Sequence, residues 1–141
     1  MVTIVPISIE HAKGYNRVLD GVARERKYLA LLEGPPLART LEFVTRNIAK
    51  GYPQFVALAD GDVVGWCDIT PDSRPVHAHV GTLGMGLLPP FRGRGNGAAL
   101  IERALRAHRC GMVRVELSVY SDNRPAIALY ESFGFRTEAV M

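Results

Sequence analysis

A chain of 141 residues, 48% of them hydrophobic and 22% charged, is sized for one domain around one core. Its net charge of +3 is mild, and Arg24, Arg26, Lys27, Arg103, Arg106 and Arg109 sit in separate segments, so a small anionic ligand accounts for the excess better than nucleic acid does. No apolar run reaches the ~20 residues of a membrane span, and Met1–Pro6 lacks the layout of a secretory signal, so a cytoplasmic protein with no membrane partner is expected.

Val2 to Ser8 alternates apolar and polar residues and predicts a first strand. Ser8 or Glu10 opens a helix in which Ala12, Tyr15, Val18, Leu19 and Val22 recur at helical spacing, and Gly34-Pro35-Pro36 breaks the chain after it. A second helix follows, with Leu37, Leu41, Val44 and Ile48 on its inner face, Glu42 and Arg46 as an outer ion pair, and Gly51 at its end. Gln54–Ala59 and Val63–Thr70, joined by Asp60-Gly61-Asp62, read as a tight hairpin.

Val76 to Leu88 reads as a long strand, and Gly81, Gly84 and Gly86 within it predict a bulge or a close backbone approach. A helix from Asn96 to Arg109, a strand from Val113 to Val119, a helix capped by Asp122 or Asn123 and ended by Gly134, and a last strand over Phe135–Met141 complete the chain. The mixture predicts an α/β or α+β class around one twisted sheet. Cys67 and Cys110 have no C-x-x-C spacing, and buried free thiols are the expectation.

The chemistry concentrates where the long strand ends. Leu87-Leu88-Pro89-Pro90 leads into Phe91-Arg92-Gly93-Arg94-Gly95-Asn96-Gly97, and a helix begins. Glycines there free the backbone to turn several N–H groups toward one point beside a helix N-terminus, which is an anion-binding nest, and Arg92 and Arg94 add charge suited to phosphate. The dinucleotide pattern G-x-G-x-x-G fails at Ala98, and a G-x-x-x-x-G-K-[ST] loop is absent.

Arg92-x-x-Gly95-x-Gly97 does match R-x-x-G-x-G/A, and Asn123, Ala126, Tyr130, Gly134 and Phe135 match N-x-x-A-x-x-x-Y-x-x-x-G-F, with helix, strand and helix in the matching order. The chain thereby resembles the GNAT family of N-acetyltransferases, well over Gln54–Phe135 and in outline before it. Arg24–Leu29, Tyr52–Val56 and Val64–Asp68 resemble the branch that acetylates amino acids and small amines, phosphinothricin-type enzymes included.

The resemblance implies a mixed, mostly antiparallel sheet, splayed at its long fourth strand and flanked by about four helices. It implies acetyl-CoA as acyl donor, no metal, and a small-molecule amine as acceptor attacked directly in a ternary complex. Backbone groups of Leu87 and Leu88 would meet the pantetheine arm. Arg92, Gly93, Arg94, Gly95, Asn96 and Gly97 would hold the pyrophosphate, with Asn123 and Ala126 also on the cofactor. Tyr130 would protonate the departing thiolate. For the base Glu116 is the first candidate, and His77 and His79 come next. Arg26 or Lys27 could hold a substrate carboxylate, and Trp66 reads as core rather than acceptor wall.

One departure stands out: the chain stops at Met141, where the family usually adds a further strand. An unpaired last strand is an association template, which predicts a homodimer. The competing readings are an acetyltransferase for a protein N-terminus or lysine, and a non-catalytic acyl-CoA-binding regulatory module.

Overall fold

The computed structural model describes residues 1–25, 33–71, 80–107, 114–118 and 123–136. His77, His79, Arg26, Lys27, Cys110 and the end of the expected last strand lie outside the described residues.

Strand β1 (Val2–Pro6) pairs antiparallel with β2 (Gln54–Ala59), and β2 turns back into β3 (Asp62–Pro71). Asp60 and Gly61 both take positive φ, 51° and 83°, the backbone a two-residue hairpin with right-twisted strands demands. Strand β4 (Val80–Leu87) continues the antiparallel order, and β5 (Arg114–Glu116) adds in parallel, giving the mixed sheet β1-β2-β3-β4-β5. Helices α1 (Ala12–Arg24), α2 (Leu37–Lys50), α3 (Asn96–Ala107) and α4 (Arg124–Ser132) accompany it. No helix among the described residues is long and apolar enough to cross a membrane.

Each face of the sheet carries its own core. Tyr15, Val18 and Val22 of α1 and Val44 of α2 pack with Val56 and Trp66, while Leu100, Ile101 and Ala104 of α3 pack with Phe55, Cys67, Ile69 and Leu83. The fully buried Leu100 and Ile101 each contribute about 1.5–3 kcal/mol in holding α3 to the sheet. A bulge splits β3 between the two cores: Ala57 pairs Gly65 and Leu58 pairs Val63, so Val64 is the extra residue. Val63 faces one core, Val64 the other, and the bulge sets Trp66 and Asp68 toward α1 and α2.

Helix α2 departs from its apolar periodicity. Its buried residues are Thr40, Val44 and Asn47, whereas Leu37, Leu41 and Ile48 are 39%, 38% and 45% exposed. The inner face is claimed by polar groups with partners across it. Thr40 Oγ1 accepts from Asn16 Nδ2 at 2.8 Å, and Asn47 Nδ2 donates to Gln54 Oε1 at 3.0 Å. Arg46 lies over the Phe43 ring, 5.7 Å from its centroid, and among the described residues makes no ion pair with Glu42. The first expected helix likewise begins later, after a 3-10 turn at Ile9–His11.

The ladder between β4 and β5 ends at Thr82 opposite Glu116. Beyond that point β4 runs on through Leu83–Leu87 with no strand on this edge among the described residues. The sheet opens there.

Candidate active site

The Arg-Gly loop lies beside that opening. Pro89–Phe91 forms a 3-10 turn, Gly93 and Gly95 take left-handed φ of 71° and 83°, and α3 starts at Asn96. The Ala99 N–H reaches the Gly95 carbonyl at 3.1 Å, but the amides of Gly93 through Ala98 find no acceptor among the described residues. They form a run of unsatisfied donors at the positive end of a helix, the arrangement that binds phosphate. Asn96 Nδ2 donates to the Phe91 carbonyl at 3.0 Å and ties the loop closed. Gly97 serves packing rather than φ: a Cβ there would stand 3.2 Å from Leu129 Cδ2 and 3.3 Å from Met85 Cε, so it lets α3 close on α4 and β4.

The two loop arginines diverge. Arg92 turns inward, donating from Nε to the Leu87 carbonyl at 2.9 Å and from its two Nη groups to the Glu25 carboxylate. Arg94 stays exposed and, among the described residues, has no ion-pair partner. Leu88 has both backbone groups engaged, its N–H with the Val64 carbonyl and its carbonyl with the Phe91 N–H. Among the described residues, the unpaired backbone of this edge lies upstream of Leu88, on β4.

Helix α4 closes the other side. Asn123 Oδ1 accepts the Ala126 N–H at 3.4 Å as the N-cap, with Pro125 in the first turn. Tyr130 packs against the core cluster of α3 and edge-on to Phe135, ring centroids 6.1 Å apart. Burial, with a smaller contribution from Cys67, pushes its phenol up to about 12, so it is protonated at neutral pH. Its hydroxyl has no hydrogen-bond partner among the described residues, so it can donate to an incoming group.

On the opposite face of β4, a cavity of about 420 Å³ is lined by Tyr15, Leu19, Arg39, Phe43, Trp66, Asp68, Gly84 and Met85, among others. Asp68 is buried in it. Gln54 Nε2 donates to its Oδ2 at 3.4 Å, and Tyr15, itself edge-on to Trp66, lies in hydrogen-bonding reach. Burial outweighs both hydrogen bonds and pushes the Asp68 carboxyl up to about 7. Arg39, the only cation among the described lining residues, stands exposed and among the described residues makes no ion pair. Glu116 is exposed on β5 and is not part of this lining. Trp66 is both core and cavity wall.

Sequence reasoning passed over Asp68 and Arg39. The available signal was a carboxylate set between Cys67 and Ile69 in a strand otherwise apolar, a place where an unpartnered charge is expensive.

Residues 24–135 match the model of the acetyltransferase (GNAT) family. An L-amino acid N-acetyltransferase of Escherichia coli is 37% identical over 90 residues, which cover 62% of this chain and 56% of that protein. An N-alpha-acetyltransferase of Mycobacterium tuberculosis is 36% identical over 94 residues, 64% of this chain and 57% of its own length. The alignments thus span a little over half of these relatives. A phosphinothricin acetyltransferase of Sinorhizobium meliloti, solved in complex with acetyl-CoA, superposes with a TM-score of 0.87 at 20% identity, covering 98% of this chain and 76% of that one. By its two motifs, its splayed sheet and this match, the chain belongs to the acetyltransferase (GNAT) family.

Proposed function

We propose that this protein is an acetyl-CoA-dependent N-acetyltransferase for the primary amine of a small molecule, an amino acid or analogue, acting by direct attack in a ternary complex. The carrying observation is that β4 is a shared wall. Its free edge adjoins the donor nest of Gly93–Ala98, while Gly84 and Met85 line the cavity that holds Asp68 and Arg39.

The residues present fit acetyl-CoA. The amides of Gly93–Ala98 and the Arg94 side chain, without partners among the described residues, suit its pyrophosphate, and the β4 edge above Thr82 suits an extended arm. Acetyl-CoA when bound supplies an electrophilic thioester carbon and a thiolate leaving group. A β4 N–H at the splay would then polarise the thioester carbonyl. Tyr130, protonated up to about 12, would hydrogen-bond the sulfur and give it a proton as it departs.

The acceptor class rests on the cavity. A volume of about 420 Å³ suits a small molecule, and a buried carboxylate with a rim cation matches the two charges of a free amino acid. The name of the Escherichia coli relative points the same way. The Mycobacterium tuberculosis relative favours a second reading, a protein N-terminus as acceptor, which would bring the amine without a carboxylate for Arg39.

Calorimetry with acetyl-CoA and thiol release over free amino acids, their amides and short peptides separate these readings. We expect binding that Gly95→Val abolishes, and release that is fastest with a free amino acid. Binding without release by any amine would move the protein to the non-catalytic module, and release with peptides alone would establish the second reading.

A further inference from the structure

If this chain is the N-acetyltransferase proposed above, its acceptor arrives at neutral pH as an ammonium ion, and a proton has to leave before the nitrogen can attack. We infer that Asp68 is the general base, taking that proton at Oδ1 while Oδ2 stays anchored to Gln54.

The placement is specific. Asp68 sits on β3 in one row with Gln54 of β2 and Gly84 of β4, all facing the cavity side of the sheet. Asn47 Nδ2 fixes Gln54 Oε1 at 3.0 Å, and Gln54 Nε2 in turn reaches Asp68 Oδ2 at 3.4 Å. A chain of donors oriented toward the carboxylate holds it as an acceptor. Oδ1 faces β4, 3.3 Å from where a Cβ on Gly84 would stand, so the missing side chain leaves room beside that oxygen. Asp68 is the only carboxylate among the described residues that line the cavity.

Among the described residues the charged or titratable groups around it are few. Tyr15 faces it from α1 and Arg39 lines the same cavity from α2, while β2 and β4 present the neutral Gln54, Gly84 and Met85. Cys67, next in the chain, packs on the other face with its thiol pushed up by burial, so it stays neutral. Burial brings the Asp68 carboxyl to about 7, where a base can both accept and release a proton near neutrality. Glu116 is exposed and outside the cavity lining, and Asp68 takes the role first expected of it.

The step balances. The ammonium gives one proton to the Asp68 carboxylate, and the freed lone pair forms the C–N bond. The C–S bond breaks with its electron pair going to sulfur, which takes the Tyr130 proton. The excess proton on the new amide nitrogen restores Tyr130, and Asp68 releases its own to solvent.

The test compares wild type with Asp68→Asn and Glu116→Gln, reading acetyl-CoA affinity by calorimetry, the pH dependence of kcat/KM, and carboxyl titration by difference infrared spectroscopy. We expect Asp68→Asn to lower kcat by about 10²–10⁴-fold at unchanged acetyl-CoA affinity and to erase an acid limb near pH 7. A carboxyl band titrating near 7 should appear in wild type and vanish in the variant, a readout independent of turnover. Asp68→Asn within threefold of wild type with its acid limb intact, or Glu116→Gln showing these losses instead, would overturn the assignment. So would a wild-type spectrum without that band, even if Asp68→Asn fails to fold. A wild type that transfers no acetyl group at all would instead overturn the transferase reading.

Discussion

Arg92 and Glu25 form a two-pronged ion pair that links the Arg-Gly loop to the end of α1. The Arg92 Nε also holds the Leu87 carbonyl, so one side chain fixes the loop, the last residue of β4 and the helix together. The arginine of the loop motif thus braces the loop.

Removing Glu25 should therefore loosen the nest more than the fold. The two side chains are 30% and 25% exposed, so Glu25→Ala is expected to cost only about 1 kcal/mol of stability after solvent screening. Acetyl-CoA affinity should fall about 3–10-fold, because binding must then order the loop. Chemical denaturation alongside calorimetry checks both.

Tyr130→Phe removes a proton donor and leaves the ring packing in place. We expect kcat to drop by about 10²-fold or more at unchanged acetyl-CoA affinity. In wild type, a phenol at about 12 gives no alkaline loss of activity below about pH 10 from this residue, which a kcat–pH profile would reveal.

Asp68 should weaken the fold as pH rises. Its folded value of about 7 lies above the ~3.9 of an unfolded Asp, so between those values the folded state holds a proton that the unfolded state has lost. Stability then falls as pH climbs from about 4 to 7, by roughly 2–4 kcal/mol, and the penalty is absent below about 4. Asp68→Asn escapes it: its Tm should exceed that of wild type by about 5–10 °C at pH 8, with the gap closing toward pH 4. Scanning calorimetry across this range tests the sign, and a more stable but inactive variant would mark a strained functional group.

Arg39 should discriminate among acceptors. Arg39→Ala is expected to raise KM for free amino acids about tenfold, the scale of one charge-assisted hydrogen bond at an exposed rim, and to leave amino acid amides unaffected. Steady-state kinetics on each acid–amide pair measures it.

The loop and cap geometry of the candidate site was legible because it is local. A loop that needs left-handed glycines at 93 and 95, and a helix that needs a cap at Asn123, write themselves into short spacings. The acceptor side was not. Asp68, Gln54, Asn47 and Tyr15 come from four elements and meet only when the bulge at Val64 has turned β3 and when α2 has buried its polar face. Apolar periodicity placed Leu37, Leu41 and Ile48 inside α2 because it cannot foresee that Thr40 and Asn47 find partners there. Glu116 followed from the resemblance together with strand alternation, and alternation does not show how far the sheet has splayed beyond Thr82.

Direct transfer across β4 is tested by following acetyl label from acetyl-CoA by mass spectrometry, with and without a free amino acid. We expect an unlabelled protein in the absence of amine and, once amine is added, one N-acetylated product for each thiol released. A stable acetyl group on the protein, or thiol release without an N-acetyl product, would contradict it.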